Sequence, residues 1–147
     1  NGSPERSPVK LSDFRLIEDL QVENHLRLID KLRALGEEEG FRARRALDKA
    51  LSRSPRRVLF ATHIPPYREA CLYNGQSAND DWAPYFTCRA VGDVLLDVAQ
   101  RNPEVEFTCL AGHSHAEAYC RVLPNLEVRV GFADYGTPRV EELRFES

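Results

Sequence analysis

Three histidines stand where strand-like segments give way to loops: His63 in VLFATHIPPY, and His113 and His115 in LAGHSHAEA. Imidazole titrates near neutrality and is a common ligand for transition-metal ions, so such a set points to metal or acid–base chemistry. In an extended chain, side chains at i and i+2 point the same way. That would aim His113 and His115 at one place and turn Ser114 away, leaving Ser114 as a backbone hydrogen-bonder rather than a nucleophile. Gly112 has no Cβ and allows a sharp bend at the strand end. His63 follows a short apolar run, and Pro65 and Pro66 fix the loop behind it. A His-x-His pair alone reads equally well as two satisfied polar residues at a loop mouth. The third histidine shifts the balance, because open α/β sheets bind ligands just beyond the carboxyl ends of their strands. The fourth, His25, lies beside a helix cap and reads as a surface residue.

The elements that must position these rings are legible in outline. Residues 1–10 are polar, with Pro4 and Pro8, and read as a flexible arm. Ser12 can cap a short helix carrying Phe14, Leu16, Ile17 and Leu20. Asn24 can cap another, with Leu28, Leu32 and Leu35 on one face, and Gly36 reads as its stop. Glu37, Glu38 and Glu39 then suit the start of a third helix ending before Pro55. The period changes at Arg57. VLFAT is a continuous apolar run, as expected of a strand buried on both faces. A long loop follows, with turn signals at Asn74-Gly75, Asn79-Asp80 and Pro84. CRAVGDVLLDVAQRN is amphipathic, with Val91, Leu95 and Val98 on one side. EVEFTCLAG, AEAYCRVL, LEVRVGFAD and RVEELRFE read as strands, with turns at Pro124-Asn125 and at Tyr135 to Pro138. Helices, one strand, a helix, then strands predict a layered α/β or α+β domain: helical over 11–53, sheet-rich over 57–147.

Composition sets the outer bounds. With 42% apolar and 29% charged residues, the chain of 147 residues is globular rather than disordered. Net charge is −3, which gives no basic footprint for nucleic acid. No apolar run reaches the ~18 residues of a membrane span. The start has no apolar core of a signal peptide. The four cysteines form no CxxC and read as free thiols of a cytoplasmic protein. A disulfide between Cys109 and Cys120, on neighbouring strands, is the minor alternative.

ATHIPPY followed by LAGHSH resembles the last two motifs of the calcineurin-like metallophosphoesterases, over roughly residues 57–147. The resemblance implies a two-metal phosphoesterase acting on phosphate mono- or diesters. It implies a four-layer αββα sandwich of which this chain is the C-terminal half, with 11–53 as covering helices. His63 and His113 would be ligands of the second metal, and His115 of the first. Two divalent ions (Mn, Fe, Zn, Co or Ni) would serve the complete site, at most one of them in this chain alone. The family's earlier motifs, D-x-H, G-D-x-x-D and G-N-H-[DE], do not occur. Gly92-Asp93 lies out of order in a helix and is not their substitute.

The expected function is therefore metal-dependent phosphate-ester hydrolysis, with this chain inactive alone and completed by a missing N-terminal half or a second subunit. Two alternatives stand: an inactive metallophosphoesterase-like domain acting as a binding module, or one metal held by all three histidines and water. No membrane or nucleic-acid partner is expected. Trp82, Tyr85 and Phe86 read either as a substrate wall or as a local core. Asp80 and Asp81 read as turn-solvating, Arg89 as surface, and Tyr73 and Asn74 as neighbours of the substrate's approach.

Overall fold

The change of period at Arg57 is where the fold passes from helix to sheet. The computed structural model describes residues 4–73, 75–134 and 136–137. A short helix α1 (Asp13–Leu16) and a 3-10 turn (Glu18–Leu20) lead into α2 (His25–Leu51). Ser12 makes no side-chain cap. Asn24 does cap α2, its Oδ1 accepting from the Arg27 amide at 3.0 Å.

The expected break at Gly36 does not occur: α2 runs unbroken for 27 residues. The reason lies across the chain, in α4 (Arg89–Arg101), which packs against it. A Cβ on Gly40 would sit 3.1 Å from the Ala90 Cβ, and one on Gly36 would reach the Cys88 Sγ at 4.0 Å. These glycines let two helices approach closely; they do not stop one. Arg44 of α2 bonds Asp97 of α4 at 2.5 Å, and Arg101 joins at 2.8 Å. The Arg44 hydrogen bond holds the Asp97 carboxyl below its usual range.

The main sheet has the order β1 (Arg57–Ala61), β4 (Glu106–Ala111), β6 (Leu126–Val130), β5 (Ala118–Leu123). β1, β4 and β6 are parallel neighbours; β5 and β6 form an antiparallel hairpin. A small hairpin, β2 (Leu72–Tyr73) with β3 (Gln76–Ser77), turns through Gly75 at φ 74°. α3 (Ala83–Phe86) is a single turn before α4. The expected strand at 139–146 and most of the turn at 135–138 lie outside the described residues. No described helix is long and apolar enough to cross a membrane.

One face of the sheet is covered. Val58, Phe107, Cys109, Leu126, Val128, Val130 and Ala118 pack against Leu47 of α2 and Val91, Leu95 and Val98 of α4. Among the described residues the other face is exposed along β1, so β1 is not buried on both sides as its apolar run suggests. Leu59 is 49% exposed and Ala61 is exposed too. Composition shows that a strand is apolar, not whether a second layer lies over it.

That second face is largely polar. Towards β5 and β6 it is polar: Glu127 takes Arg129 at 2.9 Å, Arg121 at 3.0 Å and the Tyr119 hydroxyl at 3.2 Å. Burial pushes the Glu127 carboxyl up, but Arg129, Tyr119 and Arg121 more than offset this and hold it below its usual range. Towards β1 and β4 the same face is mixed: Leu59 and Leu110 stand beside the Arg57–Glu106 ion pair at 2.8 Å and the buried Thr108, whose hydroxyl donates to Glu127 at 3.3 Å.

Residues 4–10, expected as a flexible arm, lie against the rest of the chain. Ser7 and Val9 are buried, and the Ser7 hydroxyl donates to the Asp81 carbonyl at 2.7 Å. His25 contacts the Pro4 carbonyl at 3.0 Å, and Arg33 pairs with Glu5.

Cys109 and Cys120 are not on neighbouring strands. Both register with Val128, from opposite sides of β6. Two strand spacings of about 4.8 Å put their Cα atoms far beyond disulfide reach, and all four cysteines are free. Burial pushes the Cys109 thiol up to about 12. The unfolded thiol ionises near 8.5, so the folded state holds this proton longer. Stability is therefore constant below about pH 8.5 and falls as pH rises towards 12, by up to about 1.4 kcal/mol per pH unit. Urea midpoints measured from pH 7 to 10.5 should fall with pH, and Cys109→Ala should reduce the fall; burial raises the other three thiols as well, so part of it remains.

Candidate metal centre

The parallel pairing of β1 and β4 continues past both strands. The Thr62 amide donates to the Leu110 carbonyl, and the Gly112 amide to the His63 carbonyl, each at 2.9 Å. The two chains therefore leave the sheet side by side, and His63 and His113 meet. His63 Nε2 lies 3.2 Å from His113 Nδ1, with the ring centroids 5.0 Å apart and the planes at 70°. Two neutral imidazoles at this distance share one hydrogen bond. The spacing also suits two ligands of a single ion: with Zn–N near 2.0–2.1 Å, adjacent donor nitrogens stand about 3.0–3.4 Å apart.

His115 is not brought to that point by the route the sequence suggests. Side chains at i and i+2 share a direction only in extended backbone, and this segment is not extended. His113 has φ 67° and His115 φ 56°, both in the left-handed region. The bend falls on the histidines, not on Gly112. Ser114 closes the turn, its amide donating to the Gly112 carbonyl at 2.8 Å, and the Ala133 amide reaches the His115 carbonyl at 3.5 Å. Left-handed backbone costs a non-glycine residue on the order of 1–2 kcal/mol, and such strain concentrates at functional sites.

The electrostatics keep His113 neutral. Burial, and then the charge of His63, lower its pKa. The Tyr85 carbonyl and Asp13 act in the opposite direction, more weakly. His113 Nε2 and Ser114 Oγ are buried with no hydrogen-bond partner among the described residues. The Tyr85 carbonyl acts on the ring from outside hydrogen-bond geometry. With Nδ1 towards His63, the His113 ring has one nitrogen placed as a metal ligand's would be, while its Nε2 has no hydrogen-bond partner among the described residues.

His63 is exposed, and its loop is held from behind. Pro65 and Pro66 are fully buried. The Cys88 amide donates to the Pro65 carbonyl at 2.9 Å, and the Tyr67 hydroxyl to the Gly92 carbonyl at 2.7 Å. Burial raises the Tyr67 pKa and keeps that donor protonated. Gly92 makes the approach feasible: a Cβ there would stand 2.6 Å from the Pro66 carbonyl oxygen.

The long loop lies against the same site. Phe86 packs on His113 with centroids 4.7 Å apart, and Trp82 packs edge-on to Phe86 at 5.7 Å. Tyr85 is buried under the loop against Phe14, while Trp82 is 44% exposed. Tyr85 therefore belongs to a local core, and Trp82 lies half-exposed at its edge. Asp80 pairs with Arg68 at 2.6 Å, Asp81 offers its carbonyl to Ser7, and Arg89 makes an exposed pair with Asp93 at 3.3 Å. Asn74 lies outside the described residues, as does the Tyr73 side chain. Sequence reasoning missed Asp13 and residues 4–9, which come to the site only through tertiary packing.

Among the described residues, no group of three or more His, Cys, Asp or Glu is arranged to hold an ion. The chain supplies a pair at ligand spacing, with a third histidine nearby in sequence on its own turn. No family model matches the chain, no curated protein matches it, and no solved structure matches it.

The clamp on the His63 loop is testable. Gly92→Ala should lower stability by about 1–3 kcal/mol, because the new methyl meets backbone that cannot move aside cheaply. Gly112→Ala, whose Cβ would meet nothing nearer than 3.8 Å, should change it by no more than about 1 kcal/mol. Urea denaturation of both variants checks the contrast.

Proposed function

We propose that this chain carries the back half of the metal site of a calcineurin-like metallophosphoesterase, a hydrolase of phosphate esters. The observation that carries the reading is the pair of imidazole nitrogens 3.2 Å apart, delivered by the carboxyl ends of two adjacent parallel strands. That is where open α/β sheets bind ligands. His63 and His113 would hold one ion. His115, on a separate left-handed turn, would face its neighbour. The fit is partial, since two donors do not complete a coordination shell, and the remaining carboxylates would come from a further half-domain or a second subunit.

The exposure of β1 on its second face suits this completion. Parallel sheets are ordinarily covered on both faces, and Leu59, 49% exposed, lies on β1, one of the strands that deliver the histidines. A layer docked there would make the αββα sandwich and bring donors to the site. Bound at such a centre, divalent ions neutralise phosphate oxygens and lower the pKa of attacking water. The chain's own part is to hold His113 neutral, to fix His63 through the proline loop, and to leave the mouth open to substrate. Four free thiols suit a reducing compartment, and we assign the protein to the cytoplasm on that ground.

Zinc content and calorimetric titration test the reading on this chain. One Zn²⁺ per chain is expected, weakened at least about tenfold by His63→Ala or His113→Ala and much less by His115→Ala. Equal losses at all three positions would favour one ion on three histidines. No uptake would remove the metal site and leave a binding module. An aryl phosphate with Mn²⁺ should not be turned over by this chain alone.

A further inference from the structure

We propose that the outer face of α2, with the turn that follows it, is a docking surface for single-stranded nucleic acid. The inference stands apart from the metal reading, because this surface lies at the opposite end of β1 from His63. Residues 42–57 hold seven Arg or Lys and one acid, Asp48, a charge of +6 in a chain of net −3. Net charge conceals this segregation. Three of the seven are committed within the fold: Arg42 to Glu38 and Glu39, Arg44 to Asp97, and Arg57 to Glu106. Arg45, Lys49, Arg53 and Arg56 are exposed, and among the described residues none of these four is in an ion pair.

Together with Phe41 the four make a row, at steps of four, four, four and three residues. A step of four advances about 6 Å along one face of a helix. Ala43 and Leu47 face the core from the other side of α2. Past Leu51 the chain stays tightly turned, the Arg53 amide donating to the Ala50 carbonyl at 3.2 Å and the Ser54 amide to the Leu51 carbonyl at 2.9 Å. Helix C-termini favour cations, which accounts for Lys49 and Arg53. It does not account for Arg45, more than a turn earlier, for Arg56, or for Phe41, a ring 64% exposed at the head of the row. The Arg45 guanidinium lies 6.0 Å from the Phe41 ring centroid. Cations for backbone phosphates beside an aromatic ring for an unpaired base are what a single strand binds. Arginine suits phosphate because its fork of donors bonds two oxygens at once. A lipid surface fits less well, since the row has one large apolar anchor and Glu37, Glu38 and Glu39 lie beside it. A duplex keeps its bases paired and offers Phe41 nothing to stack on.

Fluorescence anisotropy with labelled oligo(dT) of about 12 nucleotides tests the surface on this chain. Binding on the order of 10 μM at low salt is expected, with log K falling against log salt at a slope of about −3 for four neutralised phosphates. Lys49→Ala and Arg53→Ala should each weaken binding and make the slope shallower by about 0.7. Phe41→Ala should weaken binding about fivefold or more with the slope unchanged, and Phe41→Trp should keep it within about twofold. These side chains are exposed, so urea midpoints should match the parent chain and show that the variants fold. No binding of oligo(dT) at low salt, or a slope indifferent to both cation variants, would overturn the surface. Heparin, a polyanion without bases, bound as tightly as oligo(dT) together with no effect of Phe41→Ala would overturn the nucleic-acid assignment. Tighter binding to phosphatidylglycerol vesicles than to oligo(dT) would overturn it in favour of a membrane surface.

Discussion

The parallel hydrogen bonding of β1 with β4, carried two residues beyond the strands themselves, is the constraint on which the site depends. Fifty residues separate His63 from His113 along the chain. Only the ladder between these strands, ending on the bond from the Gly112 amide to the His63 carbonyl, sets their rings at 3.2 Å. A parallel pair needs a crossover, and here the connection does more than return the chain. It contains the proline loop that steadies His63, the aromatic row that backs His113, and α4, which covers the sheet.

α4 is consequently the hub of the packing. On one side its Gly92 accepts the Pro66 carbonyl, and on another its Ala90 meets Gly40 of α2. Two glycines on different helices do the same job, removing a methyl so that backbones can meet. The Leu95 side chain, fully buried, sits with Val91 and Val98 over Phe107 and Cys109 of the sheet. Packing beneath the sheet and the posture of the site loop are therefore set by one thirteen-residue helix.

Much of this was legible in the sequence, and the failures have physical causes. The apolar period gave α4 and the strands β1, β4, β5 and β6, because alternation and helical spacing are local properties. The histidines were found because residue type and strand context are local as well. Gly36 misled because a glycine inside a helix and one after it look alike until the neighbouring helix is known. The apolar run at Val58 to Ala61 could not reveal that one side of β1 is exposed. Cys109 and Cys120 were placed side by side because chain order was read as strand order, and β6 inserts between them. Ser7 and Val9 dock although nothing in a polar, proline-bearing segment announces it. The extended backbone expected at His113 and His115 is absent because no histidine signals a positive φ.

That last feature carries a backbone cost at these positions. Glycine, and to a lesser degree asparagine or aspartate, adopts a left-handed conformation with less strain than an imidazole-bearing residue. A turn whose only task was to reverse the chain after β4 would be better served by one of those. Two histidines sit there at φ 67° and 56°, so the ring is retained against the preference of the backbone. The shape of the turn alone does not explain a histidine at either position, since glycine would take the same backbone at less cost.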